Sequence, residues 1–364
     1  MKIIYQISTL IVLFFFSCKD DPVEPISISD RRKALAAIGY NVITPSYVDF
    51  QNSVNGLIAE TAAFADNTTD HRKLNRLKEV WLQCAISWKR ISLFESNPAN
   101  SQFIFDGIYG TPDTLEVKKI LNNIEQNIDS SYIQGLNPNC KGIQTYEYLL
   151  FGQSKGDNAT ILELFADEIH GRRRSDYLLS LSKSLKYYAD RGIYKWSAGG
   201  EDYVNKFIQA DGAGSDGSIS VLVNQMERHI SLIKSERVGR PLGINNGGQP
   251  QVNALDGKWS NKCAELLLGE MDAILAVYLG HKVGSVNYTG LNLLVNIVSA
   301  NSNNPSLSSE IENHIDSVYS KTLSISTPFD RALFSDRESV NELYQELETL
   351  EGLIKNDMKQ ALGL

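Results

Sequence analysis

Apolar residues recur along much of this chain every three or four positions, which is the period of an amphipathic helix. The clearest run lies within residues 71–95 and consists of Leu74, Leu77, Trp81, Cys84, Trp88 and Ile91. This stripe predicts a helix of about six turns that buries one face. The sequence has no comparable alternation with a period of two, which would indicate strands.

Further helices are predicted where the same spacing returns, at residues 47–64, 142–152, 172–191, 261–280 and 340–358. Stretches rich in Gly, Asn, Pro and Ser predict loops at 209–218, 239–258 and 284–306. We therefore predict an all-α protein built from antiparallel helical bundles. A length of 364 residues suggests about two domains. We assign the first bundle to residues 31–195 and the second to residues 196–364.

The chain begins with a candidate export signal. Lys2 is followed by an uncharged run from Ile3 to Ser17. The run is shorter than the roughly 20 apolar residues that a membrane-spanning helix needs, and it fits a secretory signal peptide. Phe15-Phe16-Ser17-Cys18 resembles a bacterial lipobox, which predicts removal of residues 1–17 and a lipid on Cys18. An ordinary secretory cleavage site is the alternative.

A lipid on Cys18 would make a membrane the first partner of this protein. Residues 18–30 then predict a lipidated tether, with Pro22 and Pro25 in it. Lys19-Asp20-Asp21 resembles the short tag that directs some Bacteroidetes lipoproteins to the cell surface. The predicted location is therefore the cell envelope, as an outer-membrane lipoprotein exposed at the surface.

Composition excludes several classes of protein. Hydrophobic residues make up 42% of the chain, enough for a large core rather than a disordered segment. A formal charge of −8 argues against a nucleic-acid partner, because phosphates require a basic surface. Beyond Cys18, three cysteines are too few for a disulfide scaffold. The sequence also contains no His-Glu-x-x-His zinc motif and no Gly-x-Ser-x-Gly nucleophile turn.

The most unusual side chain is Glu147. It shares a helix face with Ile143, Leu150 and Phe151, so it belongs to an apolar stripe. A buried carboxylate needs a metal, a cation or several hydrogen-bond donors. Glu270 lies in a similar position within 261–280. One interpretation is that Glu270 caps a helix or forms an ordinary ion pair with a neighbouring helix. The other is that Glu270 and Glu147 come from different domains and meet where the two domains join.

The segment 141–152, Lys-Gly-Ile-Gln-Thr-Tyr-Glu-Tyr-Leu-Leu-Phe-Gly, resembles the signature of the imelysin family, also called peptidase family M75. That signature is a Gly-x-His-x-x-Glu helix with a Leu-Leu-aromatic-Gly ending. The resemblance extends along the mature chain. Its other parts are Val42-Ile43-Thr44-Pro45-Ser46-Tyr47, Trp81 and Trp88, Arg172-Arg173-Arg174 with Tyr177-Leu178, Glu236 to Gly243, Trp259-Ser260, and the ending from Glu346 to Leu364.

The resemblance implies two helical-bundle domains related by approximate internal symmetry, with a site around the motif in the cleft between them. Carried onto this sequence, the candidate ligand-binding residues are Gly142, Gln144, Glu147, Trp259, Ser260 and Glu270, and the candidate metal ligand is Glu147. One departure matters. The histidine of the motif falls at Gln144, and a carboxamide is a poor ligand for zinc, iron or copper compared with imidazole.

Three functions remain as hypotheses. The resemblance implies a non-enzymatic envelope protein that binds iron or an iron-bearing ligand, with an outer-membrane uptake receptor as partner and iron as the candidate cofactor. A metallopeptidase is the second, although Gln144 breaks the His-plus-Glu pair. A surface lipoprotein that binds a carbohydrate or a partner protein is the third, because 16 tyrosines and 4 tryptophans could supply stacking surfaces.

Overall fold

The computed structural model describes residues 26–94, 107–152, 157–281, 289–300, 302–325 and 328–364. Cys18, the predicted leader and most of the predicted tether lie outside the described residues. Within these ranges the chain is all-α and has no strand, as the periodicity predicted. None of the helices in the same ranges is both long enough and apolar enough to cross a membrane.

The helices of the described ranges are numbered in chain order. They are α1 (Ile28–Ala37), α2 (Thr44–Ala65), α3 (His71–Ser92), α4 (Thr114–Asn122), α5 (Ser130–Gly135), α6 (Gly142–Phe151), α7 (Asn158–Ala166), α8 (His170–Trp196), α9 (Tyr203–Gln209), α10 (Ser218–Leu232), α11 (Arg240–Leu242), α12 (Cys263–Leu279), α13 (Leu291–Ser299), α14 (Leu307–Ser324), α15 (Phe329–Ser335), α16 (Arg337–Gly352) and α17 (Lys359–Leu362). Three segments are π-helical (Ile38–Ile43, Ile233–Gly239 and Leu353–Met358), and two are 3₁₀ turns (Pro138–Cys140 and Val252–Ala254).

The first half of the fold is organised around α2, which packs against both α3 and α8. Asp70 begins α3, because its side chain accepts hydrogen bonds from the N–H groups of Arg72 and Lys73. The predicted stripe of α3, from Leu74 to Ile91, is buried along its whole length. Burial of such a stripe is the main source of stability for a helix of this kind.

The second half packs onto the first through α12, which lies against α3 and α14, while α14 packs against α16. Nearly all buried apolar residues of the two halves belong to one hydrophobic core. Trp196, at the predicted boundary, is fully buried and stacks on Tyr47 while contacting Tyr203 and Phe207. The division at 195/196 stays a prediction. Across it, α3 packs against α12, and α1 packs against α9 and α13.

Two of the π-helical segments end just before a proline. Pro45 and Pro241 each stand at the second position of the helix that follows. A proline in a helix lacks an N–H, and its ring clashes with the carbonyl group four residues earlier, so a wider turn at this point relieves the clash. The segment Ile233–Gly239 carries Arg237, whose side chain reaches the candidate site described below.

One predicted loop was wrong in part. Residues 284–306 were expected to lack helix, but α13 occupies Leu291–Ser299. Leu291, Leu294, Val295 and Val298 are buried at helical spacing. The many Asn and Ser residues around them hid this short apolar stripe. The predicted loops at 209–218 and 239–258 are confirmed over most of their length.

Candidate functional site

Glu147 lies in the middle of α6, and its side chain is 1% exposed. Its Oε1 atom accepts three hydrogen bonds: from the Trp259 N–H at 3.1 Å, the Ser260 N–H at 2.8 Å and the Ser260 hydroxyl at 2.8 Å. Among the described residues, no Lys, Arg or His forms an ion pair with Glu147, and none donates to Oε2. Hydrogen-bond donors, rather than a cation, therefore hold this buried carboxyl group.

The protonation of Glu147 is unusual for a glutamate. Burial raises the pKa of its carboxyl group to about 7, although the hydrogen bonds from Ser260 and Trp259 act in the opposite direction. The negative charge of Asp256 raises the pKa further. The carboxyl group therefore gains and loses a proton near neutral pH. Shifts of this kind are concentrated at functional sites.

Near Glu147 lie four charged side chains that we call the ion cluster: Lys89, Arg237, Asp256 and Glu270. All of them except Arg237 are buried. Lys89 is 1% exposed, and its Nζ lies 2.6 Å from Asp256 Oδ2 and 2.8 Å from Glu270 Oε1. Arg237 contacts the same two acids, at 3.5 Å from Asp256 and 3.1 Å from Glu270. Two cations therefore balance two acids inside the protein.

Asp256 connects the ion cluster to α6. Its Oδ1 atom accepts hydrogen bonds from the Gln144 side-chain amide at 3.0 Å and from the Tyr109 hydroxyl. Burial alone would raise the pKa of Asp256, but the charges of Lys89 and Arg237 outweigh burial and hold the pKa below its usual value. Asp256 therefore stays ionised, and it is hydrogen-bonded to Gln144, which lies one helical turn before Glu147 on α6.

A cavity of about 130 Å³ opens beside Glu147. Gln144, Glu147, Asp256 and Trp259 belong to its wall, together with Thr111, Pro112, Glu236, Arg237, Arg240, Asn253, Ala254, Leu255, Gly257 and Lys258. The volume corresponds to about four water molecules, at roughly 30 Å³ each. It is large enough for one small polar group of a ligand and too small for a whole cofactor.

The sequence profile of the family described as Imelysin (peptidase M75) matches residues 43–354 of this chain. The chain belongs to the imelysin family. An imelysin-like protein from Psychrobacter arcticum 273-4 has a similar solved structure, with a TM-score of 0.73 and 16% identity over 93% of this chain and 97% of that one. A putative iron-regulated protein A precursor from Parabacteroides distasonis ATCC 8503 gives a TM-score of 0.62 and 17% identity over 92% and 96% of the two chains. None of the curated proteins matches this chain.

Five of the six residues that the imelysin resemblance suggested are brought together. Gln144, Glu147 and Trp259 line the cavity, Ser260 holds Glu147, and Gly142 begins the helix that carries Glu147. Glu270 is the exception. It does not contact Glu147, because Lys89 and Arg237 engage it within the ion cluster. The interhelix pair was therefore the correct interpretation of Glu270, and a direct meeting with Glu147 was wrong.

The site does not fit a metal ion held by side chains of this imelysin alone. Three acids line the cavity, but Glu236 pairs with Arg240, and Asp256 pairs with Lys89 and Arg237. Only Glu147 then remains as an unpaired acidic ligand there. In the described part of the chain, no group of three His, Cys, Asp or Glu side chains could hold a metal. Transition metals and calcium take several such ligands.

Three residues of the site were not singled out from the sequence: Lys89, Arg237 and Asp256. Lys89 follows Trp88 at the edge of the apolar stripe of α3, so its type suggested a solvated position. Arg237 belongs to the segment Glu236 to Gly243, which was noted only for its resemblance to the imelysin family. Asp256 belongs to 239–258, which was noted only for its loop-like composition. A buried acid such as Glu270, on an apolar face, was the one available signal that cations would be found nearby.

Gly142 serves the backbone rather than a ligand. It has φ +84°, and a Cβ atom there would lie 2.2 Å from the carbonyl oxygen of Ile108. We expect Gly142→Ala to lower the free energy of unfolding by at least about 2 kcal/mol, because it adds left-handed strain to a clash with the main chain. Thermal unfolding checks this, with Gly135→Ala in open space as the control. Equal melting temperatures for the two variants would contradict this role.

Proposed function

We propose that this imelysin is a cell-envelope binding protein for iron acquisition, and that its cavity receives the anionic end of a small iron chelate. The observation that supports this most directly is Glu147. It is buried with no salt bridge to a described Lys, Arg or His, although the charge of Lys258 acts on it from the same cavity wall. Its carboxyl group is fixed through Oε1 alone, and Oε2 is unengaged by the described residues. A carboxyl group in this state costs stability, so a binding role explains its presence better than a structural one.

The charges of the wall favour an anionic ligand. Arg237 and Arg240 line the cavity but already pair with acids, so Lys258 carries the unbalanced positive charge of the wall. Below pH 7, Glu147 adds a neutral O–H donor to these cations. A carboxylate or hydroxyl oxygen of the chelate could accept hydrogen bonds from several of them at once. Bare iron would meet the same cations and only one unpaired acid. The proposal therefore assigns the metal's own ligands to the chelate and not to the protein.

The pH dependence of binding distinguishes an anionic iron chelate from bare iron as the ligand. We expect the affinity for ferric citrate to fall about tenfold between pH 6 and pH 8, because Glu147 must be protonated to donate to an anion and its pKa is about 7. Isothermal titration measures this directly. A bare cation should show the opposite trend, since ionised Glu147 attracts it, and ferrous sulfate under anaerobic conditions serves as that comparison.

Glu147→Gln is the matched variant for this experiment. Its amide keeps a donor at the cavity and cannot ionise, so the affinity for ferric citrate should be the same at pH 6 and pH 8. Glu147→Ala removes the donor and should abolish binding at both values. If the ferric chelates used as probes fail to bind the wild-type protein, the proposed function is wrong, and binding of ferrous ion alone would contradict it as well.

The envelope location remains part of the proposal. It rests on the leader 1–17 and on Cys18, for which we propose a lipid that anchors the protein to the outer membrane. An outer-membrane uptake receptor would be the partner that delivers or accepts the chelate. Mass spectrometry of the protein purified from membranes tests the lipid, since an acylated N-terminal Cys18 gives a defined mass increase over the cleaved polypeptide.

Peptidase activity is a second candidate because of one observation. A carboxyl group with a pKa of about 7 in a cavity is suited to act as a general base. Incubation with an unfolded protein substrate tests this possibility. Cleavage that Glu147→Gln abolishes would support it, whereas an intact substrate after long incubation would exclude it for that substrate.

A further inference from the structure

The cavity beside Glu147 continues into a larger groove. This groove, which we call the outer groove, has a volume of about 950 Å³ and shares Asn253, Lys258 and Trp259 with the cavity. Its remaining lining residues are Thr114, Lys118, Tyr148, Gly152 and Val252. The cavity alone holds only one small group, so the body of any larger ligand must extend into the outer groove.

Aromatic surface is concentrated at the junction of the two spaces. Trp81, Trp88 and Trp196 are at most 3% exposed, whereas Trp259 is half-buried and lines both the cavity and the outer groove. Its ring packs against Tyr148 with centroids 5.2 Å apart. The ammonium group of Lys258 lies 4.5 Å from the Trp259 centroid. A flexible lysine can leave that ring face when a planar group takes its place.

The charged side chains that line the outer groove are positive. Among the described residues that line it, Lys118 and Lys258 are charged and none is an Asp or Glu. Neither lysine forms an ion pair with an acid in the described ranges. The neighbouring Lys119 differs, since it pairs with Glu116 at 2.8 Å and does not line the outer groove. Two lysines without a salt bridge, beside a half-buried indole, are complementary to a ligand that is both aromatic and negatively charged.

We propose that the ligand is a catecholate chelate, whose aromatic ring stacks on Trp259 in the outer groove while an oxygen-bearing end enters the cavity beside Glu147. This rests on the proposed function, since it names the chemical class of the chelate. A catecholate binds iron through two adjacent ring oxygens and leaves both ring faces free for stacking. Its negative charge is matched by Lys118 and Lys258. A citrate chelate has the charge and lacks the ring.

The experiment compares two probes on the full chain in detergent. Isothermal titration is carried out with the ferric complexes of citrate and of 2,3-dihydroxybenzoate. We expect the aromatic complex to bind at least tenfold more tightly. Trp259→Ala should abolish this preference and leave the affinity for citrate within twofold, whereas Trp259→Phe should keep most of it. The hydrogen bond to Glu147 comes from the main chain of residue 259, so both variants retain it.

Two further variants test the charges. Lys118→Ala combined with Lys258→Ala should weaken the aromatic complex at least tenfold, while Lys119→Ala should change nothing. The outcomes separate the two proposals. If citrate binds in a Glu147-dependent manner but the aromatic complex binds no better, or if Trp259→Ala weakens both probes equally, the catecholate inference is wrong and the proposed function stands. If neither chelate binds the wild-type protein, both are wrong.

Discussion

Replacing Lys89 with methionine should lower the free energy of unfolding by about 3–5 kcal/mol, the largest loss that we expect from any single change in this protein. Methionine keeps most of the apolar stem of lysine and removes its charge. Asp256 and Glu270, which are 8% and 1% exposed, would then share Arg237 as their only cation within the ion cluster. An uncompensated buried acid is the reason for the loss. Denaturant unfolding at neutral pH measures it.

Arg90 is the natural control for Lys89. It is the next residue on α3 and also pairs with α12, through Asp272 at 2.7 Å, but its side chain is 46% exposed. Arg90→Met should therefore cost only about 0–1 kcal/mol. Adding Glu270→Gln to Lys89→Met should recover part of the stability, because one cation again balances one acid. A loss below about 1 kcal/mol for Lys89→Met would show that the ion cluster is unimportant for stability.

The stability of Glu147→Gln relative to the wild-type protein should increase with pH. The folded-state pKa of Glu147 is about 7, above the 4.5 of an ordinary glutamate. Its neutral form is therefore favoured by folding below pH 4.5, and this advantage is lost as pH rises through 7. A shift of this size corresponds to roughly 3 kcal/mol. Glutamine keeps the Oε1 acceptor for Ser260 and Trp259 and never ionises.

Chemical denaturation of both proteins at pH 4.5 and pH 8.5 checks this prediction. The difference between their free energies of unfolding should be small at the lower pH and should favour the glutamine variant by up to about 3 kcal/mol at the higher pH. Glu163→Gln, at an exposed position away from the cavity, should show no such trend. A pH-independent difference would mean that Glu147 is already ionised throughout this range.

The helices of this fold were readable from the sequence because each buries a single apolar face. The stripe from Leu74 to Ile91 identified α3, and the motif residues Gly142 and Gly152 marked α6 closely. The same principle failed for α13, whose stripe is only nine residues long. A short helix is stabilised mainly by packing against the rest of the protein. The residues it packs against are distant in sequence, so the helix is hard to predict from its own segment.

The part of the candidate site that lies within a single segment, 141–152, could be predicted from the sequence. Glu147 was marked as a buried acid by its position among Ile143, Leu150 and Phe151, and three donors are one of the solutions expected for such an acid. The ion cluster could not be found in this way. Lys89 meets Glu270 across 181 positions of the chain and Asp256 across 167. Periodicity describes which face of one helix is apolar, and it contains no information about which distant charge that face will meet.

The way in which Glu147 is held has an evolutionary consequence. Two of its three donors are main-chain N–H groups, at Trp259 and Ser260. The indole of Trp259 lies in the outer groove and takes no part in positioning the acid. Mutation at residue 259 can therefore alter what the groove accepts while the proton-exchanging group stays in place. Related chains could diverge in ligand choice by single steps, without first losing the chemistry at the base of the cavity.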